Sequence, residues 1–242
     1  MDTTSNKEKI PIGEASELLG VSQDTLRRWD KSGKLPSIKS VGGHRFYSRF
    51  QIELHLSDLQ ILAKDWVESG AEISTNLHCT DSSIFQARLH KMEEILSRVE
   101  KLKNIFPLIV AITGEIGNNS FDHNLGNWPD VPGVFFGYDI SKRSIVLADR
   151  GQGVLATLRR VRPALKTHME ALKVAFSEII SGRAPENRGN GLKFVRQVIA
   201  DNPIGLIFRT GDAELILRKA KADLDIHRSA TKFRGCLAFI TF

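Results

Sequence analysis

The chain has 242 residues, 41% hydrophobic and 26% charged, a balance that suits a packed globular core and excludes wholesale disorder. Lys and Arg number 34 against 28 Asp and Glu, a net charge of +6 that fits a nucleic-acid partner if the excess is concentrated in one place. Two distant cysteines, Cys79 and Cys236, argue against a zinc site or disulfide framework. The polar start from Met1 to Lys9 lacks a signal-peptide run, and no apolar stretch approaches the ~20 residues of a membrane span, so a cytoplasmic protein without membrane contact is expected.

Residues 10–66 read as short helical patterns broken by Gly and Pro. Ile12 to Leu19 forms a helix with Ala15, Leu18 and Leu19 inward. Gly20-Val21-Ser22 turns tightly, and Ser22 is placed to cap the next helix. Gln23 to Ser32 is that helix, with Leu26 and Trp29 as its buried face and Gly33 as its stop. Two short helices joined by such a turn are the pattern that sends a second helix into a DNA major groove. Ile38 to Tyr47 reads as a hairpin about Gly42-Gly43, carrying Lys39, His44 and Arg45 at its tip and flanks. Between Ser22 and Phe50 the cations are Arg27, Arg28, Lys31, Lys34, Lys39, Arg45 and Arg49, and the anions only Asp24 and Asp30, so the positive excess lies where DNA would lie.

Gly20-Val21-Ser22, Thr25-Leu26-Arg27-Arg28-Trp29, Gly33-Lys34-Leu35 and Gly42-Gly43-His44-Arg45-Phe46-Tyr47 together resemble the MerR/excisionase-type winged helix-turn-helix. The resemblance implies double-stranded DNA as partner, contacted by Arg27 and Arg28 from the second helix and Arg45 from the wing. Thr25 on that helix, and Lys39 and His44 on the wing, complete the candidate interface.

Residues 67–103 read as a polar linker (67–81) followed by a helix whose Ile84, Leu89, Met92, Ile95, Leu96, Val99 and Leu102 recur at three- and four-residue steps, a candidate dimerisation face. Residues 104–242 mix helices, alternating strands and Gly-rich loops. Asn104 to His123 is a helix on which Glu115 and Asn119 share one face, a carboxylate beside an amide oxygen that a hard cation would accept. Strands over 134–138 and 144–147 lead into Asp149-Arg-Gly151-Gln-Gly153, where a strand-end carboxylate meets a backbone that a flat ligand can approach closely. A helical stretch from Leu165 to Ile180 precedes Gly189-Asn190-Gly191-Leu192 at the start of another helix, whose N–H groups favour phosphate. Strands over 206–210, 214–218 and 235–242 close the chain.

In this order and spacing, Glu115-x-x-x-Asn119, Asp149-x-Gly151-x-Gly153 and Gly189-x-Gly191-Leu192 resemble the GHKL ATPase superfamily of histidine kinases, gyrase-type topoisomerases, MutL-type proteins and anti-sigma-factor kinases. The resemblance implies ATP and Mg2+ as cofactors. Asn119 would hold the metal, Glu115 would be the catalytic base candidate, and Asp149 would read adenine. Gly151 and Gly153 would shape the adenine pocket, with Gly189, Gly191 and Leu192 bordering the phosphates. Asp122, Asn190 and Cys236 depart from the usual residues of that pattern.

The expected fold is therefore α+β: an N-terminal winged helix-turn-helix (1–66), a linker and helix (67–103), and a GHKL α/β sandwich (104–242) with helices on one face of a mixed sheet. The leading functional expectation is a nucleotide-responsive, homodimeric DNA-binding regulator. The alternative is an ATPase or serine/threonine kinase of anti-sigma-factor-kinase type acting on a partner protein.

Overall fold

The computed structural model describes residues 9–19, 21–31, 35–49, 51–52, 59–178 and 191–242. The N-terminal part begins with a strand the sequence did not announce, β1 (Lys9–Pro11), which leads directly into α1 (Ile12–Leu19). The Ser22 hydroxyl accepts the Thr25 amide at 3.1 Å and caps α2 (Gln23–Lys31). The hairpin is β2 (Ile38–Lys39) and β3 (Arg45–Ser48), turned at Gly43 with φ +77°, a left-handed position where a side chain would be strained. β1 and β2 both pair antiparallel with β3. Ile10, Ala15, Leu26, Leu35, Tyr47 and Ile52 form the core of this part. Tyr47 is fully buried, and its hydroxyl donates to the Leu26 carbonyl at 3.2 Å, which ties the wing to α2. Leu18, expected inward, is 43% exposed.

The second part is a five-stranded sheet in the order β4-β5-β6-β8-β7: β4 (His78–Cys79), β5 (Val134–Asp139), β6 (Ser144–Asp149), β7 (Gly205–Leu217) and β8 (Asp225–Thr241). The expected mixed sheet is corrected here, because every ladder among the described residues is antiparallel. β5 with β6, and β7 with β8, are hairpins, which need no crossover. The two strands expected over 206–218 are one, bent where Gly211 adopts φ +58° and the register shifts. β4 lies inside the segment read as linker.

Alternation along the strands gives the sheet two apolar faces. Val134, Phe136, Ile145 and Leu147 point to one core, and Phe135, Val146 and Ala148 to another. The first face is covered by α4 (Ser82–Ser97), α5 (Phe106–Asn124), α7 (His168–Ser177) and α8 (Gly191–Asp201). α6 (Gly153–Arg159) packs beside α7 over Leu155, Leu158 and Leu165. Of the helix expected over 165–180, His168–Ser177 is helical, and residues 179–180 lie outside the described residues.

The second face carries α3 (Leu59–Ser69), so helices lie on both faces rather than one. Leu59, Ala63, Trp66 and Val67, at helical spacing, pack on Phe135, Val146, Ala148, Phe233 and Leu237. Gly137 makes room, since a Cβ there would come within 2.8 Å of Leu59. α3 begins inside the segment expected to belong to the DNA-binding unit, yet its apolar stripe completes the sheet's second core.

The stripe read as a dimerisation face is also internal. Phe85, Leu89, Met92 and Leu96 of α4 are buried against α5 and the sheet. Gly114 and Gly117 of α5 allow that approach: a Cβ on Gly117 would lie 2.1 Å from the Phe85 ring. No helix among the described residues is long and apolar enough to cross a membrane.

Candidate functional site

The three C-terminal motifs meet along one helix. α5 starts with Pro107 in its first turn, where the missing N–H costs nothing. From it, Glu115 reaches the first residue of α8, Ser120 reaches Asp149, and Asn124 reaches the loop after β6. A Cβ on Gly191 would fall 1.7 Å from Glu115 Oε1, so only glycine lets the carboxylate lie against the start of α8. A carboxylate there is favoured by the helix dipole. Asn119, partly buried, lies between Glu115 and Asp149's partner Ser120. Leu192 packs onto the core. Gly189 and Asn190 lie outside the described residues.

Asp149 is 1% exposed at the end of β6. Ser120 Oγ donates to its Oδ2 at 2.8 Å, and the Gly151 amide to its Oδ1 at 2.8 Å. Burial pushes its carboxyl up to about 6, against the opposing pull of the Ser120, Gly151 and Cys236 hydrogen bonds. Gly235 is wedged against it: a Cβ there would come within 2.0 Å of the Asp149 carbonyl oxygen.

The loop after Asp149 is held by side chains. Asn124 Nδ2 donates to the Ser120 carbonyl, and Asn124 Oδ1 accepts the Gln152 amide, each at 2.8 Å. A Cβ on Gly151 would strike that amide group at 2.1 Å. Gly153 has φ +76° and lies against Thr210 Oγ1, which accepts the Val154 amide at 3.2 Å and donates to the Gly235 carbonyl at 2.9 Å. Cys236 pairs across the ladders with both Asp149 and Thr210. Burial and the adjacent Asp149 charge hold its thiol well above the usual range. Thr210 thus sets a hydroxyl beside Cys236 from the neighbouring strand.

Gln152 Oε1 accepts from Arg160 at 2.6 Å, while its Nε2 is buried with no hydrogen-bond partner. An orphaned buried donor is costly and marks a place for an acceptor. His123, one turn beyond Asn119 on α5, is held below its ordinary value by burial and by the Arg160 charge. Asp122 is exposed.

Ser120, Asn124, Gln152, Thr210 and Gly235 were missed by sequence reasoning. Ser120 and Asn124 are four apart and so share a face of α5 with each other, but they lie five and nine residues after Glu115, off its face, so the Glu115–Asn119 pattern does not point to them. Thr210 and Gly235 join the site through strand pairing, which the sequence does not display.

On the N-terminal part, Thr25, Arg27 and Arg28 lie on α2 with Lys39 and His44 on the hairpin; Thr25 is half-buried and the other four are exposed. Arg27 pairs with Asp24 at 2.5 Å, and Arg28 donates to Thr25 Oγ1 at 3.3 Å. Arg45 is turned inward, its Nε donating to Asp30 Oδ2 at 2.8 Å with 21% of the side chain exposed. Burial raises the Asp30 carboxyl, but hydrogen bonds from Arg45 and Ser37 outweigh it and leave the group below its ordinary value. Arg45 therefore fixes the wing on α2.

Residues 11–47, which hold this helix-turn-helix and hairpin, match the family model described as MerR family regulatory protein. This segment is a MerR-type helix-turn-helix domain. A curated relative, the type II methyltransferase M.Eco47II of Escherichia coli, is 37% identical over 73 residues, which are 30% of this chain and 17% of that protein's length. Among solved structures, the topoisomerase IV ATP binding domain of Francisella tularensis in complex with a small-molecule inhibitor aligns with a TM-score of 0.33 and 15% identity, over 59% of this chain and 40% of that one. The MerR-type domain is about one-sixth of the chain, and the motifs along α5 lie outside it.

Proposed function

We propose that the chain is a DNA-binding transcriptional regulator whose MerR-type domain reads duplex DNA and whose sheet domain binds ATP with Mg2+. The observation that carries the nucleotide reading is the one helix α5, from which Glu115 lies against Gly191, Ser120 bonds Asp149 and Asn124 holds the loop through Gly151 and Gln152, so that both glycine-bearing motifs meet the helix that carries Glu115 and Asn119. ATP with Mg2+ would supply a ligand whose adenine amine donates, whose phosphates carry negative charge and whose metal wants oxygen ligands.

The residues present fit that ligand. Asp149 accepts from Ser120 on one oxygen and from the Gly151 amide on the other, and a carboxylate so bonded keeps lone-pair capacity for an amine as well. Glycine at 151, 153 and 235 keeps the surrounding backbone close. The Gln152 Nε2 donor lacks an acceptor that a nucleotide oxygen would provide. Asn119 offers a carbonyl oxygen to the metal, with phosphate oxygens completing its shell. Among the described residues no group of three His, Cys, Asp or Glu could hold a metal alone, which suits a metal delivered with the nucleotide. Glu115, against the start of α8, would sit close to the phosphates and orient water there.

Thermal denaturation with ATP, ADP and Mg2+ tests the reading. At ~100 times its Kd, ATP–Mg2+ should stabilise the wild type by about 2.7 kcal/mol, and Asn119→Ala should lose the metal-dependent part. An unchanged melting temperature in the wild type would overturn nucleotide binding, and an identical metal-dependent shift in both proteins would overturn the role of Asn119.

A further inference from the structure

The adenine-side residues have neighbours in sequence that point the other way. Successive side chains on a strand alternate between faces. Asp149 faces α5, and Arg150 faces α3 on the opposite side of the sheet. The Arg150 guanidinium donates from Nη1 to the Trp66 carbonyl, and to the Val67 carbonyl at 3.4 Å. Both are last-turn acceptors of α3 that the helix cannot satisfy alone. Gly70, in the left-handed conformation at φ +74°, ends α3 by donating its amide to the same Trp66 oxygen at 3.0 Å. A Cβ on Gly70 would lie 3.3 Å from Arg150 Nη1.

The same guanidinium is anchored on its other side. Arg150 Nη2 and Nε donate to Asp130 Oδ2 at 2.6 and 3.2 Å, in the loop before β5. Arg234, immediately before Gly235, donates to Asp130 Oδ2 at 3.0 Å. Asp130 thus joins the residue after Asp149 to the residue before the glycine wedged on Asp149. Arg150 is only 14% exposed, so this pairing is not a loose surface contact.

We infer that Arg150, held by Asp130, transmits nucleotide occupancy at Asp149 to the C-terminal turn of α3, the helix that follows the MerR-type domain. A ligand on Asp149 restrains the Asp149–Arg150 peptide and the Gly235 backbone beside it. That restraint steadies the guanidinium on the Trp66 and Val67 carbonyls, and so the end of the helix next in sequence to the DNA-reading part. Arg150 is a positioning residue: it acts on α3, not on the nucleotide. The inference rests on the nucleotide reading above.

The test is hydrogen exchange of the α3 amides over 63–70 in the full chain, with and without saturating ATP–Mg2+, alongside a direct ATP-binding titration. Wild type should show exchange slowed about fivefold by ATP, the low end of ordinary coupling, while Arg150→Gln keeps its ATP Kd within about threefold and loses most of that slowing. Because the readout is the ratio with and without ATP, a general loosening of α3 does not imitate the result. Asp130→Asn, which keeps the guanidinium on the helix but frees its anchor, should reduce the ratio in the same direction and serves if Arg150→Gln fails to fold. Equal slowing in wild type and variants with ATP bound overturns the coupling, as does ATP binding to wild type without any change over 63–70. No ATP binding by wild type overturns the nucleotide reading and the coupling together, and the titration identifies that case.

Discussion

The two parts of the molecule put their chemistry in opposite places. The MerR-type domain has a small core and carries Arg27, Arg28, Lys39 and His44 outward, where a duplex would meet them. The sheet domain draws its distinctive polar residues inward: Asp149, Thr210 and Asn124 are all buried and mutually braced through Ser120, Gly151 and Gly235. An outward site needs a scaffold that presents side chains to a partner. An inward one needs every polar group matched by a neighbour or a ligand. The first tolerates surface substitution and the second does not.

The sharpest way to break the comparison is to attack the contact that makes α3 part of the sheet domain. Trp66→Ala should cost about 3–5 kcal/mol of that domain's stability in chemical denaturation, as for other large buried side chains. A chain starting at residue 70 should aggregate where one starting at residue 59 stays monodisperse, because the first exposes the sheet's second core. Little change from Trp66→Ala would return α3 to the DNA-binding part.

Asp149→Asn should weaken ATP by about 100-fold, roughly 3 kcal/mol, the upper range for a hydrogen bond to a charged group. At pH 7 the same substitution removes a buried charge but sets an amide NH2 against Ser120 Oγ or the Gly151 amide, both of which donate to Asp149, so the melting temperature should rise by less than relief of the charge alone would give. An aspartate raised from 3.8 to about 6 on folding keeps its proton while the unfolded chain loses it, so the group's contribution falls as pH climbs between those values. The difference amounts to about 3 kcal/mol of destabilisation at neutral pH, which Asn removes. ATP affinity in the wild type should run the other way, weakening as pH drops through about 6 and the carboxylate acceptor is protonated. A flat ATP-binding profile between pH 5 and pH 7.5 would place the adenine contact elsewhere.

On the outward side the effects should be smaller and more graded. Arg45→Ala removes the partner of half-buried Asp30 and should destabilise the N-terminal part by about 1–3 kcal/mol, seen as an earlier melting step and weaker DNA binding together. Arg27→Ala and Arg28→Ala should leave stability within about 0.5 kcal/mol. If these side chains contact phosphate, each should lower the slope of log K against log salt by about one. Slopes unchanged by both would mean that the duplex lies on another face.

Much of this was legible in the sequence because it depends on local patterning. The turn and cap at Ser22, the buried Leu26, and the order of the Asp149, Gly151 and Gly153 motif are short-range features with a backbone reason behind them. Leu18 was expected inward and is exposed, and the stripe over 83–103 was read as a dimerisation face and packs within the chain. Amphipathic spacing says that a face is buried, but not against what. The face of α4 that could have met a second copy meets α5 instead, through the space left by Gly114 and Gly117. Arg45 was expected, by the resemblance, to contact DNA from the wing; the tertiary structure adds that it braces the wing on Asp30.

By itself the sequence determined local patterning: the cap at Ser22, most of the apolar positions, and the order in which Glu115, Asn119, Asp149 and the glycines follow one another. The tertiary structure decided the partners. Which strand lies beside β6, what covers the sheet's second face and which hydroxyl stands next to Cys236 depend on contacts between residues far apart in the chain. Such contacts leave no periodic mark in the sequence, and only the packed sheet, with Asp149 facing α5 and Arg150 facing α3, brings those residues together.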